Sequence, residues 1–421
     1  MTIFKNYDIR GIYPNEINEE VFGKIAKAII TFFKDCKKII IGKDCRISSE
    51  SLKRSIISSL SNYNLKIYDV GLISTSTFNF LVKKFDLGLM ITASHNPKEY
   101  NGLKVYYKGE EIGYEDGLNE IEKIYFSNNF LEENKKSKII NAEKLKSKHL
   151  NFLLKKGKNI KNLKVAVDFS NGSGIIVFKD FLDKLEIEKI YLNDYIDGNF
   201  PAHEPEPNEK TLKELIEVVK KENCDFGIGF DGDADRIVFV NKDGIIRGDE
   251  LAFFFLKVYK YKKIVIDFSF PEKFKKYFDV EISRVGRTNV LRKAREINAD
   301  AAFEMSGHVY LKEIDFLEDS FYVFIKFSKK FKKYEKIIKE YERPKILQYK
   351  LTNVDLEKIK EKVKEFGKVI ELDGFKFILD EDNEFIIRKS QTEPIVRLTI
   401  YYKDRLEEIN EILKSVNINL F

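Results

Sequence analysis

Two short stretches of the chain hold residues whose types and spacing suit chemistry on a phosphate. In "DGDADR", Asp231, Asp233 and Asp235 alternate, so an extended loop presents all three carboxylates on one side. Three anions that close repel and raise one another's pKa unless a cation joins them. The loop is not an EF-hand: where that calcium loop needs a glycine and a closing glutamate, this chain has Arg236 and Lys242. A hard divalent ion with a few carboxylates and an incoming phosphate oxygen suits Mg2+, and Arg236 stands ready to pair with that phosphate. The competing reading is a solvated acidic turn. The second stretch, "MITASHNPKEYNGLKV", is an apolar strand that runs into Ser94 and His95, with Lys104 close behind. Sheets of α/β proteins place ligand sites at such strand ends. A GxSxG elbow is absent, so esterase-type acyl transfer has no support. Alone, Ser94 reads as a turn or helix cap. Opposite a metal-binding loop, it reads as the positioned oxygen that phosphoryl transfer requires.

Two further stretches are weaker. "FEMSGHVY" groups Glu304, Ser306 and His308 around a glycine. Glutamate and serine suit sugar hydroxyls, and the imidazole suits proton transfer near neutral pH; the alternative is a polar turn after a strand. "RKSQTEPIVR" has Arg388 and Arg397 with Ser390, Gln391 and Thr392 between them. Arginine forks, hydroxyls and turn amides make a phosphate cradle; the alternative is a capped loop.

The elements that must position these residues read as alternating helix and strand. Val21, Ile25, Ile29 and Phe32 recur at helical spacing, as do Leu52, Ile56 and Leu60; "KKIIIG", "LKIYDVG" and "LGLMITAS" read as strands. A charged, glycine-poor stretch from Phe130 to Leu150 separates this part from a second start at "LKVAVDFSNGSG", a strand entering a turn with a poor match to a dinucleotide fingerprint. A helix through Leu212, Leu215 and Val219 precedes the acidic loop, and "RIVFVNKDGIIRG" reads as a hairpin turning at Asp243-Gly244. A third α/β unit begins near Gly248. After a junction near Pro344, a helical stripe of Leu356, Ile359, Val363 and Phe366 is followed by four strand-like runs and a closing helix. The expected fold is therefore α/β: three α/β domains, residues 1–140, 150–247 and 248–343, then an α+β domain, residues 344–421.

Bulk composition narrows the function classes. The 421 residues are 43% apolar and 34% charged, with 74 basic against 68 acidic residues and a net charge of +6. That balance offers no nucleic-acid arm, and runs such as "KKFKKYEKIIKE" read as solvated helix faces. No run has the apolar length of a membrane helix, and the start of the sequence lacks a signal core. Three cysteines without metal-ligand spacing suit a reducing cytoplasm.

Together and in this order, the motifs resemble the α-D-phosphohexomutase superfamily of phosphomannomutases and phosphoglucomutases: "YDIRG" at Tyr7, "GKDCRISS" at Gly42, "TASHNP" at Thr92, "NGLK" at Asn101, "DGDADR" at Asp231, "EMSGH" at Glu304 and "RKSQTEP" at Arg388. The resemblance covers nearly the whole chain and implies four domains around a central cleft. It implies that Ser94 is carried as a phosphoserine and that Ser94, Asp231, Asp233 and Asp235 hold one Mg2+. It makes Arg10, His95, Lys104, Arg236 and His308 the catalytic groups, with Lys104 a candidate proton shuttle. Tyr7, Glu304, Ser306, Arg388, Ser390, Gln391, Thr392 and Arg397 become the substrate-binding set. The implied reaction interconverts hexose 1-phosphate and 6-phosphate, of mannose or glucose, through a bound hexose 1,6-bisphosphate. Sugar phosphates are the implied partners, with no nucleic acid or membrane, in a cytoplasmic monomer or homodimer. Gln391 and Phe303 depart from the family pattern, which has asparagine and glycine there. A glucosamine-type mutase, a phosphatase and a non-catalytic sugar-phosphate binder are the alternatives.

Overall fold

In the computed structural model, residues 2–133, 135–352, 354–389 and 395–418 are described. They form an α/β protein with four sheets. The first sheet has seven strands, ordered Ile9–Ile12, Tyr100–Tyr107, Leu87–Ile91, Lys38–Lys43, Lys66–Leu72 and Lys138–Asn141, with Glu110–Glu111 on the Tyr100–Tyr107 strand. Its centre is parallel, and the Tyr100–Tyr107 and Ile9–Ile12 edge is antiparallel. Continuous apolar runs such as Ile39, Ile40 and Ile41 are buried on both faces, as a sheet covered by helices requires. The helix Glu19–Phe32 is capped by the Asn18 side chain and buries Phe22, Ile25, Ala26 and Ile29 on this sheet's core. The stretch after Phe130 is more than a separator. Its Lys138–Asn141 strand completes the first sheet along Lys66–Leu72; it is a short edge strand with Ile139 exposed, so it carries almost no burial pattern to read.

The second sheet runs Gly244–Ile246, Ile237–Asn241, Phe226–Phe230, Lys161–Asp168, Glu186–Leu192. Its hairpin turns at Lys242 and Asp243, one residue earlier than the Asp-Gly pair suggests, because the Asn241 side chain accepts the Asp243 N–H and Asn241 pairs with Gly244. The third sheet has four strands, Glu281–Ser283, Ile264–Asp267, Ala301–Phe303 and Val309–Leu311. The fourth is an antiparallel five-stranded sheet, Lys345–Leu351, Val396–Tyr402, Glu384–Lys389, Phe375–Ile378, Lys368–Glu371, with the helices Leu356–Val363 and Leu406–Ser415 on one face. Among the described residues no helix is long and apolar enough to cross a membrane.

The chain divides into two compact units. One takes the residues up to Arg247 with Gly307–Val309 and Leu317–Lys332; the other takes Gly248–Ser306, Tyr310–Phe316 and the residues from Lys333 on. The helix Ser320–Lys330 therefore belongs to the first unit, far along the sequence from its partners. Its Phe321 and Phe324 pack on Phe178, and its Phe327 lies 4.0 Å, ring centre to ring centre, from Phe239. At its start the Asp319 side chain caps the Phe321 and Tyr322 amides. The other Asp319 oxygen lies 2.9 Å from His149 Nε2, while His149 Nδ1 lies 3.0 Å from Thr77 Oγ1. That fully buried chain ties three helices together and accounts for one of the four histidines.

Phe324 is fully buried and Phe366, on the expected apolar stripe, is 45% exposed just beyond its helix. Phe324→Ala should cost about 3–5 kcal/mol. Phe366→Ala should stay within about 0.5 kcal/mol. Urea unfolding midpoints of the two variants, compared with wild type, check both values.

Candidate active site

In the first unit, the loop after the strand Leu87–Ile91 and the loop after the strand Phe226–Phe230 meet. Gly232 permits this approach, since a Cβ there would lie 2.8 Å from the Ser94 carbonyl oxygen. Ser94 itself has φ +50°, a left-handed conformation uncommon for a side-chain-bearing residue. Its N–H is held by Thr92 Oγ1 at 2.9 Å, and its Oγ donates to Asp231 Oδ2 at 2.8 Å. The His95 Nδ1 is 3.3 Å from the same hydroxyl. Burial, reinforced by the Arg236 and Arg10 cations, holds that imidazole well below its ordinary pKa.

The three aspartates are buried, and one oxygen from each lies within 4.8 Å of the others. Lys104 Nζ donates to Asp235 Oδ2 at 2.6 Å and stands 3.8 Å from Asp233 Oδ2; Arg236 Nε donates to Asp231 Oδ2 at 3.2 Å. Burial and the two neighbouring carboxylates push Asp231 well above the usual range, and burial with Asp235 raises Asp233. Asp235 goes the other way: burial opposes its charge, but Lys104, His308 and Arg236 hold it well below. Lys104 is also opposed by burial, yet Asp235 and Asp233 raise it well above the usual ammonium value, so it is charged. Even with these cations, Asp233 Oδ1 and Asp235 Oδ1 are buried and accept no hydrogen bond. Two buried carboxylate oxygens without donors, within a cluster of three aspartates, fit a hard divalent cation.

The loop is fixed from behind. Thr75 donates its N–H to the Asp233 carbonyl at 2.7 Å and its hydroxyl to Asp233 Oδ2 at 2.6 Å; Thr92 Oγ1 reaches the same oxygen at 3.1 Å. Ser76 and Ser320 both donate to the Ala234 carbonyl, at 2.6 and 2.8 Å. The "SNGSG" turn, a poor match to a dinucleotide fingerprint, is a buttress. Ser170, Asn171 and Ser173 are fully buried, Ser170 Oγ donates to the Phe230 carbonyl, and the Ser173 N–H donates to the Gly232 carbonyl.

Among the other expected catalytic groups, Arg10 is buried, paired with Asp8 and hydrogen-bonded to Asn96 Oδ1. His308 Nδ1 lies 2.6 Å from Glu318 Oε1, and Tyr7 is half-buried. Cys36 and Cys45 are buried thiols pushed up to about 11 and about 12, so neither is a nucleophile.

The second unit holds Glu304, Ser306, Arg388 and Arg397. Glu304 ends the strand Ala301–Phe303 and accepts the Tyr310 hydroxyl at 2.6 Å, while Ser306 is exposed. Phe303 points into the core, 6.2 Å from the Phe255 ring, so this departure from the family pattern is a packing residue. Sequence reading missed Asp267, fully enclosed at the end of Ile264–Asp267, which accepts the Ser269 and Met305 amides and so shapes the Glu304 loop. Burial and the Glu304 charge push its pKa up to about 7. In the fourth sheet, Arg388 stands directly opposite Arg397, and Arg397 directly opposite Lys350. Three cations in a row across three strands repel one another. Ser390, Gln391 and Thr392 lie outside the described residues.

Comparison with known proteins identifies the relatives of the chain. The family described as phosphoglucomutase/phosphomannomutase, alpha/beta/alpha domain I, matches residues 1–132, and its domain II matches residues 142–244. A phosphomannomutase of Methanocaldococcus jannaschii is 36% identical, covering 100% of this chain and 99% of its own. A phosphoglucosamine/phosphogalactosamine mutase of Sulfurisphaera tokodaii is 32% identical over 98% of this chain and 99% of its own. The crystal structure of a phosphoglucomutase/phosphomannomutase family protein from Burkholderia thailandensis superposes with a TM-score of 0.87 at 25% identity, covering 99% of this chain and 98% of that one.

The raised pKa of Asp267 sets a direction with pH. The folded state holds this proton more tightly than the unfolded chain, whose aspartates titrate near 4. Its stabilisation is therefore full below that value and lost as pH rises through about 7. Relative to Asp267→Asn, the wild type should lose on the order of 2 kcal/mol between pH 5 and pH 8. Urea midpoints at the two pH values test this, and a constant difference would contradict a protonated Asp267.

Proposed function

The chain belongs to the phosphoglucomutase/phosphomannomutase family, and from that premise and the setting of Ser94 we infer that it interconverts the 1-phosphate and 6-phosphate of a hexose, mannose or glucose, by way of phosphorylated Ser94. It is an isomerase of the intramolecular phosphotransferase type. The observation that carries the serine's part is its hydroxyl, 2.8 Å from Asp231 in a buried triple-aspartate cluster that Lys104 and Arg236 flank.

In this reading Ser94 carries a phosphate dianion. The free hydroxyl of the sugar phosphate attacks phosphorus, the bond from phosphorus to Ser94 Oγ breaks, and a bound 1,6-bisphosphate results. The bisphosphate turns round, and Ser94 Oγ takes back the other phosphate. In each half, one proton leaves the attacking hydroxyl and one reaches the departing oxygen. Lys104, kept as an ammonium by Asp235, supplies a proton to the departing serine oxygen, and His308 serves the sugar side. Arg10, neutral His95 and Arg236 surround the moving phosphate. Asp231, Asp233 and Asp235, with an oxygen on Ser94, would hold one Mg2+, which when bound offsets the phosphate's charge.

Glu304 and Ser306 read sugar hydroxyls. Arg388 and Arg397, with Ser390, Gln391 and Thr392, grip the phosphate that does not react, and the like-charged row along the fourth sheet supports that assignment; Tyr7 completes the substrate contacts. Four modules, residues 1–140, 150–247, 248–343 and 344–421, contribute one loop each, and the enzyme works on soluble sugar phosphates in the cytoplasm.

The test is a Mg2+-dependent assay on mannose 1-phosphate, glucose 1-phosphate and glucosamine 1-phosphate, each primed with a trace of its 1,6-bisphosphate. A 6-phosphate product is expected, and the amino sugar is included because the Sulfurisphaera relative is named for it. Release of free phosphate instead would make the protein a phosphatase. Ser94→Ala should lose nearly all turnover while remaining folded by circular dichroism. Asp233→Asn should lose on the order of 10²–10³-fold in kcat, with a weaker response to added Mg2+.

A further inference from the structure

The "GKDCRISS" motif contributes a residue that touches neither the aspartate cluster nor the reacting oxygen. Arg46 is 1% exposed, and all five of its guanidinium N–H groups find acceptors. Nε donates to Asp44 Oδ2 at 3.1 Å. Nη1 donates to the carbonyls of Pro97 at 2.7 Å and Tyr100 at 3.1 Å; Nη2 donates to those of Ser94 at 2.8 Å and Asn96 at 2.6 Å. One side chain thus collects four backbone oxygens from the loop that carries the serine.

We propose that Arg46 is a positioning residue for phosphoryl transfer: its guanidinium fixes the backbone of the Ser94 loop, and with it the direction of Ser94 Oγ. This rests on the reading of Ser94 as the phosphate carrier. A left-handed, side-chain-bearing residue persists only where its surroundings over-determine it, and Ser94 is one. Carbonyl oxygens left free beside a phosphoserine would also repel the dianion; gathered on the guanidinium, they are satisfied and turned away. Because the peptide is trans, the His95 N–H then points opposite to the Ser94 carbonyl. Asp44, fully buried, cancels the arginine's charge and takes the Arg46 N–H and the Ser49 hydroxyl on its other oxygen. The pair is neutral, so its effect on the phosphate is geometric.

The second loop that grips Arg46 belongs to the same device. The Phe200 ring lies 5.1 Å from the guanidinium carbon, and Gly198 passes so close that a Cβ there would sit 2.4 Å from the Cys45 carbonyl oxygen. Phe200 also approaches Gly232, at the start of the acidic loop. Arginine geometry is needed because a lysine ammonium has three donors and no planar fork.

The test compares Arg46→Lys and Arg46→Ala in the full chain with the mutase assay. Arg46→Lys keeps the charge and should still lose on the order of 10²-fold in kcat, the effect of an ångström's misplacement, with KM for the hexose 1-phosphate little changed. Arg46→Ala should recover turnover with added ethylguanidinium and not with propylammonium, a rescue that a purely packing role would not discriminate. Wild-type kcat in Arg46→Lys, or equal rescue by the two cations, would overturn the proposal. Should both arginine variants fail to fold, amide exchange in the wild type decides: residues 95–101 should exchange at least about tenfold more slowly than the exposed 128–132 loop, and equal rates would overturn it. Absence of mutase activity in the wild type would instead sink the functional reading.

Discussion

The constraint on which the first unit is built is the burial of three carboxylates within 4.8 Å of one another. Mutual repulsion and lost hydration act against that arrangement, and both grow as water is excluded. Lys104 and Arg236 balance part of the charge, and two oxygens still lack donors. The surrounding fold exists largely to hold this loop against its own repulsion. Thr75 and Thr92 grip Asp233, Ser76 and Ser320 grip the Ala234 carbonyl, and Ser173 grips the Gly232 carbonyl. Braced at consecutive residues, the loop keeps its three carboxylates together.

The serine loop is built by the complementary rule. Where the acidic loop is held by donors aimed at its carbonyls and carboxylates, the serine loop wraps its carbonyls around one buried cation, Arg46. The two loops touch where Gly232 has no side chain. In the second unit the same electrostatic economy appears in other forms. Burial and the Glu304 charge push Asp267 up to about 7, and Arg388, Arg397 and Lys350 stand opposite one another across three strands.

Much of this was readable in the amino-acid order. Strands and helices with strong apolar patterns, such as Lys38–Lys43, Leu87–Ile91 and Glu19–Phe32, fall where the pattern puts them, because burial selects side chains at the period of the element. The acidic loop and Ser94 stood out by occurring together with the other motifs, since each alone also reads as an ordinary turn or cap. Lys138–Asn141 and the earlier hairpin turn were not readable, since an exposed edge strand and an Asn-led turn are set by partners and side-chain hydrogen bonds.

The sequence by itself determined the chemistry available: three carboxylates in alternation, one serine at a strand end, and cations spaced along the chain. Tertiary structure decided which of these meet. Ser94 reaches Asp231 across 137 residues, and Lys104 reaches Asp235 across 131. It also decided that Arg46 faces backbone carbonyls, that Phe303 faces the core and that burial raises the pKa of Asp267. Each of those depends on what lies opposite in space, on distances and dielectric that no local pattern encodes. Residue type follows from the gene, but the pKa, the partner and the direction of a side chain follow from the fold around it.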